Sequence, residues 1–269
     1  MDTTQSNSLP SHKKKIGLCL SGGGARGAFH IGVLQALDEF NIVPTLVSGT
    51  SAGALTGSLY CAGVKPAELL KISTSTKWYH FIGPHVPNNG LVDFKFLQQL
   101  LNKYIPHNSF EKLKIPFIAT ATNLQTGFLE YFSSGPIYEP VIASCAVPIV
   151  FKPVIINGMK YLDGGITMNL PAQILRQDCD YIIGSNLIPH NSLKAEVLNS
   201  YNSILTRVLE INLFNNIKQQ LPFVDLLIES EAISEFSRFD LNNAEKLFKL
   251  GHKTALEKLE FVFNSNIYI

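Results

Sequence analysis

Twice within its first sixty residues the chain passes from a short apolar run, through a glycine-rich turn, into a helical pattern. Ile16–Leu20 runs into Ser21-Gly22-Gly23-Gly24-Ala25-Arg26-Gly27, after which Phe29, Val33, Leu34, Leu37 and Phe40 fall at helical spacing. Thr45-Leu46-Val47 then ends at Gly49, and Ala54, Leu55, Ser58 and Leu59 continue as a second helix rich in small residues. A strand that feeds a helix can pair in parallel with the next strand only by a crossover, so this repetition demands a parallel sheet covered by helices.

The alternation continues. Pro66 opens a helix reaching about Ser75, and a helix with Phe96, Leu97, Leu100, Leu101 and Tyr104 on its apolar side follows Asp93, a candidate cap. Residues 115–124 and 127–132 are predicted as the two strands of a hairpin, and 137–146 as a helix stopping before Pro148. Tyr161-Leu162 runs into Asp163-Gly164-Gly165. Residues 170–177 are predicted helical with Pro171 early, 181–187 a buried strand, 197–219 a long helix, 223–229 a strand and 242–262 the closing helix. The expectation is an α/β fold, a mostly parallel central sheet with helices on both faces, without internal repeat or linker. Residues 15–269 are therefore taken as one domain and 1–14 as a disordered polar tail.

Composition narrows the function classes. Hydrophobic residues make up 46% and charged residues 16%, enough for a large core, and the net charge of +1 argues against a broad nucleic-acid surface. Lys13-Lys14-Lys15 resembles the start of a signal peptide, but only five apolar residues follow before the glycines, and no run approaches the roughly 18 residues of a membrane span. A soluble, cytoplasmic protein with room for peripheral membrane contact is expected. Cys19, Cys61, Cys145 and Cys179 lack metal-ligand spacing and lie in apolar or small-residue surroundings, as buried thiols in a reducing compartment would; neither a metal nor a cofactor is predicted.

Three short motifs carry the chemistry. Gly22-x-Gly24-x-x-Gly27 sits where a dinucleotide fingerprint would, but that use needs an acid about 20 residues on. The window 44–48 has none, and Asp38 and Glu39 come too early. Gly49-Thr50-Ser51-Ala52-Gly53 is a G-x-S-x-G sequence between strand and helix, which can stand a nucleophilic serine on a tight turn or merely cap a helix. Asp163-Gly164-Gly165 is a common turn, and also a carboxylate able to accept a serine proton if held close and desolvated. Together they suit acyl transfer, with backbone N–H groups facing a charge that develops only in the transition state.

In this order the motifs resemble those of the patatin-like phospholipases: G-G-G-x-[K/R]-G, G-x-S-x-G and D-G-[G/A]. A fourth stretch of that family, small residues then Pro then an aromatic, is matched by residues 143–151. The likeness runs from about Lys14 to Glu260 and is weakest at 78–110 and 190–225. It implies a three-layer α/β/α fold and hydrolysis of lipid acyl esters, phospholipid or lysophospholipid, at a transiently visited membrane or micelle surface. It further implies Ser51 as nucleophile, Asp163 as base, oxyanion contacts from Gly22, Gly23 and Gly24 with Arg26 beside them, and motif glycines at Gly27, Gly49, Gly53, Gly164 and Gly165.

Two alternatives stay open on the residues. A triad enzyme would use Ser51, Asp163 and either His190 or His252, although only two strands precede Ser51 and both histidines are expected at the surface. A non-catalytic anion-binding protein would have no use for both Ser51 and Asp163. His30 is read as a packing residue. The aromatic loop 78–94 suits either a cover over an acyl groove or a loop tucked into the core. Leu205, Val208, Leu209, Ile211 and Phe214 form an apolar stripe expected to face the core rather than a membrane.

Overall fold

The structure, a computed structural model, describes residues 14–75, 94–148, 150–192, 195–238 and 240–264. The expected polar tail, the aromatic loop apart from Phe94, and the candidate cap Asp93 lie outside the described residues, Lys14 excepted.

Among the described residues eight strands form one sheet: β1 (Ile16–Leu20), β2 (Leu46–Gly49), β3 (Phe117–Asn123), β4 (Leu129–Phe132), β5 (Val154–Ile156), β6 (Met159–Asp163), β7 (Tyr181–Ser185) and β8 (Leu226–Ile228). Their order is β5-β6-β3-β2-β1-β7-β8, with β4 also pairing β3. From β3 to β8 all neighbours are parallel, while β4 and β6 pair β3 antiparallel and β5 pairs β6 antiparallel. The fold is therefore α/β with a mixed, mostly parallel sheet.

Alternation along the strands sorts the core into two layers. Leu18, Leu20, Val47, Phe117, Ala119 and Ile183 face a large layer that includes α1 (Ala28–Glu39), α2 (Ala52–Cys61), α3 (Pro66–Ser75), α4 (Lys95–Tyr104), α5 (Tyr138–Ser144) and α7 (Ala244–Asn264). Cys19, Leu46, Ile118 and Ile182 face a smaller layer made by Leu170, Ala172, Leu175, Cys179 and the C-terminal end of α6 (Tyr201–Gln220). In the large layer α1 and α7 touch backbone to backbone: a methyl group on Gly32 would overlap the Phe248 carbonyl, and one on Gly251 the Phe29 carbonyl.

Three expectations are corrected. Residues 170–177 form only a 3-10 turn at Gln173–Leu175. The buried Ser48 hydroxyl donates to the Pro171 carbonyl, the Gln173 N–H is taken by the Gln220 side chain, and the Leu175 N–H goes three residues back to Ala172. Strand β5 was not predicted, although Asn157-Gly158 joins it to β6 with both residues at positive φ, 50 and 81°, the pattern of a two-residue hairpin turn. Finally, the stripe on α6 is not a core face: of its five residues Val208 and Ile211 are exposed and Leu205, Leu209 and Phe214 only half-buried, and the described residues of α6 that are fully buried are Asn216, Ile217 and Gln220.

The register builds the site. Leu20 pairs with both Gly49 and Ser185, so β1, β2 and β7 end level. Strand order reverses at β1, the crevice where open α/β sheets bind ligands. Strand β3 overshoots: Ala119 is level with Gly49, and β3 runs on to Asn123. Strand β6 descends this overhang and ends with Asp163 opposite Ala121, about 7 Å beyond Gly49 at the usual rise per residue.

Candidate active site

Ser51 stands between β2 and α2 at φ 54°, ψ −120°, a backbone conformation that costs a non-glycine residue about 1–3 kcal/mol. Three contacts hold it there. Its N–H donates to the buried Ser144 hydroxyl at 2.8 Å; its carbonyl accepts from Leu55 N–H at 3.0 Å and from the Cys145 thiol at 3.3 Å. Gly49 and Gly53 let the turn close, since a methyl group on either would strike backbone. The flanking Thr50 hydroxyl is tied to Thr120 at 2.6 Å and to the Met168 carbonyl at 3.0 Å.

Asp163 ends β6 with 6% of its surface exposed. Its carboxylate accepts the Gly165 N–H at 2.8 Å and lies near enough to the Ser51 side chain for that hydroxyl to favour its charged form. Burial is the largest influence and pushes its pKa up to about 6; the Ser51 hydroxyl, the Gly165 N–H and the charge of Arg238 pull the other way. A carboxylate so placed remains ionised at neutral pH and is more basic than a free aspartate.

The glycine loop follows β1. Ser21 N–H bonds the Ser185 carbonyl at 3.1 Å, and the Ser21 hydroxyl accepts from Leu187 N–H at 2.8 Å. His30, fully buried, bonds the Ser21 carbonyl through Nε2 at 2.8 Å and the Ser185 hydroxyl through Nδ1 at 2.7 Å. A carbonyl only accepts, so Nε2 carries the proton and Nδ1 accepts from Ser185. Burial lowers the His30 pKa to about 4, and the ring is neutral. His30 is thus the packing residue it was read as, and it ties the loop to β7.

The polar groups of Gly22 and Arg26 are engaged within the protein. Gly22 N–H is already bonded to the Asn169 carbonyl at 3.1 Å. The buried Arg26 guanidinium reaches the carbonyls of Phe236, Leu187 and Ser234 at 2.9, 3.1 and 3.4 Å, and lines a different, polar cavity. Desolvation lowers its pKa to about 10, so it is still a cation and acts as a clamp on two loops. Among the described residues, the N–H groups of Gly23, Gly24 and Ala52 have no hydrogen-bond partner. Gly24 takes φ 61°, and a methyl group there would overlap the Arg238 carbonyl. Gly27 packs on Ala52, while Gly164 abuts Thr120 and Gly165 abuts Asn169.

Ser51 and Gly24 open into a cavity of about 200 Å³ whose walls are otherwise almost wholly apolar. Ile31 of α1, Leu55 and Leu59 of α2, Leu69 of α3, and Leu97 and Leu100 of α4 line it, with Val147 and Phe151 from the fourth motif stretch. Cys145 also lines it, half-buried beside Ser51, whereas Cys19, Cys61 and Cys179 are buried.

Neither proposed triad histidine reaches this centre. His190 is exposed and packs on Phe214, ring centres 4.5 Å apart, and His252 bonds Glu39 at 2.9 Å at the far end of α1. Among the described residues no histidine bonds Asp163 or Ser51. Three participants carried no signal at the level of motif: Arg238, already described, and Asn169 and Asn216; Ser144 lies in the fourth motif stretch, which gave it no role. Asn216 donates to the Gly165 carbonyl at 2.7 Å and accepts from Asn169 N–H at 2.9 Å, and Asn169 donates to the Gly22 carbonyl at 3.2 Å. The two amides join the aspartate loop to the glycine loop.

Known proteins share this architecture. The chain is 32% identical over 180 residues to an uncharacterized NTE family protein of Mycobacterium tuberculosis, covering 66% of this chain and 50% of that protein. It is 25% identical over 277 residues to a lysophospholipase nte1 of Emericella nidulans, covering 92% of this chain and 18% of that one. The chain thus spans about half the length of the mycobacterial relative and under a fifth of the fungal one. Among solved structures, VipD from Legionella pneumophila superposes with a TM-score of 0.56 at 15% identity, over 94% of this chain and 67% of VipD, a likeness of fold. Residues 18–176, which hold the glycine loop, Ser51 and Asp163, match the family described as Patatin-like phospholipase, and the chain belongs to that family.

Proposed function

We propose that the protein is a serine acyl hydrolase of lipid esters, working through a Ser51–Asp163 dyad. The observation that carries this is a strained serine beside a buried carboxylate, at the mouth of an apolar cavity. The acyl chain lies against Ile31, Leu55 and Leu59, and the ester carbonyl sits over Ser51. Asp163 takes the hydroxyl proton as Ser51 Oγ attacks the carbonyl carbon. The resulting oxyanion is held by the unengaged N–H groups of Gly23, Gly24 and Ala52. Collapse expels the alcohol, which takes the proton from Asp163 and leaves an acyl-serine. Water, deprotonated by Asp163, then releases the fatty acid and restores the serine.

An apolar cavity of this size suits one acyl chain, and the fungal relatives carry the name lysophospholipase, so a lysophospholipid is the substrate class we favour. No helix among the described residues is long and apolar enough to cross a membrane, and we read the contact with lipid as peripheral and transient. The test is labelling with a fluorophosphonate, alongside fatty-acid release from lysophosphatidylcholine. Modification of Ser51, and loss of release in Ser51→Ala, are expected. A label elsewhere with Ser51 unmodified, or full release by the variant, would overturn the assignment.

A further inference from the structure

The N-terminal part of α6 carries an apolar ridge that no described residue covers. Tyr201, Ile204, Val208 and Ile211 are 80, 50, 56 and 46% exposed, and their spacing of three, four and three residues puts them on one stripe about 15 Å long. The opposite face of the helix is committed. Leu213 packs in the smaller core layer, and Asn216 holds the Gly165 carbonyl next to Asp163. Because β7 and β8 are parallel, α6 must return from the catalytic edge of the sheet to the opposite edge. Asn216 is level with Gly165, so the residues before it stand at the catalytic rim. There Arg207 bonds Asn191, and Phe214 packs on His190, both in the segment that follows β7.

We propose that this ridge is the face by which the protein rests on a neutral or zwitterionic lipid surface. The inference rests on the lipid-hydrolase reading and names the element that brings the rim to its substrate. Charge selects the kind of surface. Between Tyr201 and Ile217 the only charged residues are Arg207 and Glu210, which pair with each other at 3.4 Å; Glu210 also pairs with Arg238 at 3.3 Å. The stripe itself is uncharged, so nothing on it favours anionic lipid. A second copy of the chain is the weaker occupant. A stable interface takes roughly 800 Å² and 20–30 residues from each partner, far more than four side chains supply.

The experiment is flotation with phosphatidylcholine vesicles, comparing the protein with Ile204→Asp/Val208→Asp. Both sites are exposed, so the fold should tolerate the change, which matching melting curves check. Vesicle binding is expected to fall about tenfold or more. Hydrolysis of vesicle-borne lysophosphatidylcholine should fall with it, while turnover of a soluble butyrate ester is unchanged. Binding by the unaltered protein should shift less than about twofold with added salt or anionic lipid. Equal vesicle binding by the two proteins would overturn the proposal. So would a strict need for anionic lipid, or an unaltered protein that is dimeric where the variant is monomeric. Ser51→Ala should float like the unaltered protein, so a failure of the chemistry is separable from a failure of the surface.

Discussion

Asp163 is a carboxylate held where water is scarce, which links activity to stability through pH. Its folded pKa of about 6 lies above the ordinary value of 3.8 for an aspartate. Its contribution to stability is therefore fully present below the unfolded pKa and is lost as pH rises through the folded one. Asp163→Asn should accordingly abolish turnover and yet stabilise the fold at pH 8 by roughly 1–3 kcal/mol, the gap vanishing near pH 4. Denaturant titrations at the two pH values would check this, and a variant less stable at pH 8 would contradict it. The kcat/KM profile of the unaltered protein should show an acidic limb near pH 6, where the base becomes ionised. Ser144 acts one step removed, by fixing the Ser51 backbone. Ser144→Ala leaves a buried N–H unpaired; kcat on a soluble ester should drop about 10- to 100-fold at nearly constant KM, with Ser144→Thr recovering much of it.

At the scale of elements, the largest part of the fold was readable because hydrophobic periodicity is local. β1, β2, β7, α1, α2, α3 and α7 appear where the pattern puts them. The errors arose where tertiary contacts compete with local pattern. Residues 170–177 have a helical composition, but Ser48 and Gln220 capture the backbone groups a helix would need. The α6 stripe has the period of a core helix, yet burial depends on what packs beside it, which periodicity does not encode. Ser51, Asp163 and the glycines were legible as motifs. The hydrogen-bond partners of Gly22 and Arg26 were not legible, because a motif gives residue types and not what their polar groups bond to. Gly32 makes the same point in a testable form. Alanine is favoured over glycine within a helix by about 1 kcal/mol, but here it meets the α7 backbone. Gly32→Ala should destabilise the protein, by about 1–3 kcal/mol in denaturant unfolding. A gain in stability would mean that α1 and α7 can separate at little cost.

Across the whole molecule, four helices converge on the cavity beside Ser51, and its depth should set the chain lengths accepted. Leu100→Trp, on α4, is expected to lower kcat/KM for dodecanoyl esters about tenfold or more and to leave butyryl esters nearly unchanged. An equal loss for both esters would place the acyl chain elsewhere. The two core layers are unequal in a way that bears on how the protein comes apart. Six helices bury the larger layer, while the smaller is closed by an irregular segment and the end of α6. Few apolar contacts imply a cheap local opening, and this one would release Asn216 from the aspartate loop while the rest of the sheet stays closed. Amide hydrogens of α6 should then exchange faster than those of α1 and β1. On gentle heating the protein should pass through a state that is still mostly folded but no longer holds Asp163 beside Ser51, so that, on the proposed dyad, catalysis ends before cooperative melting begins.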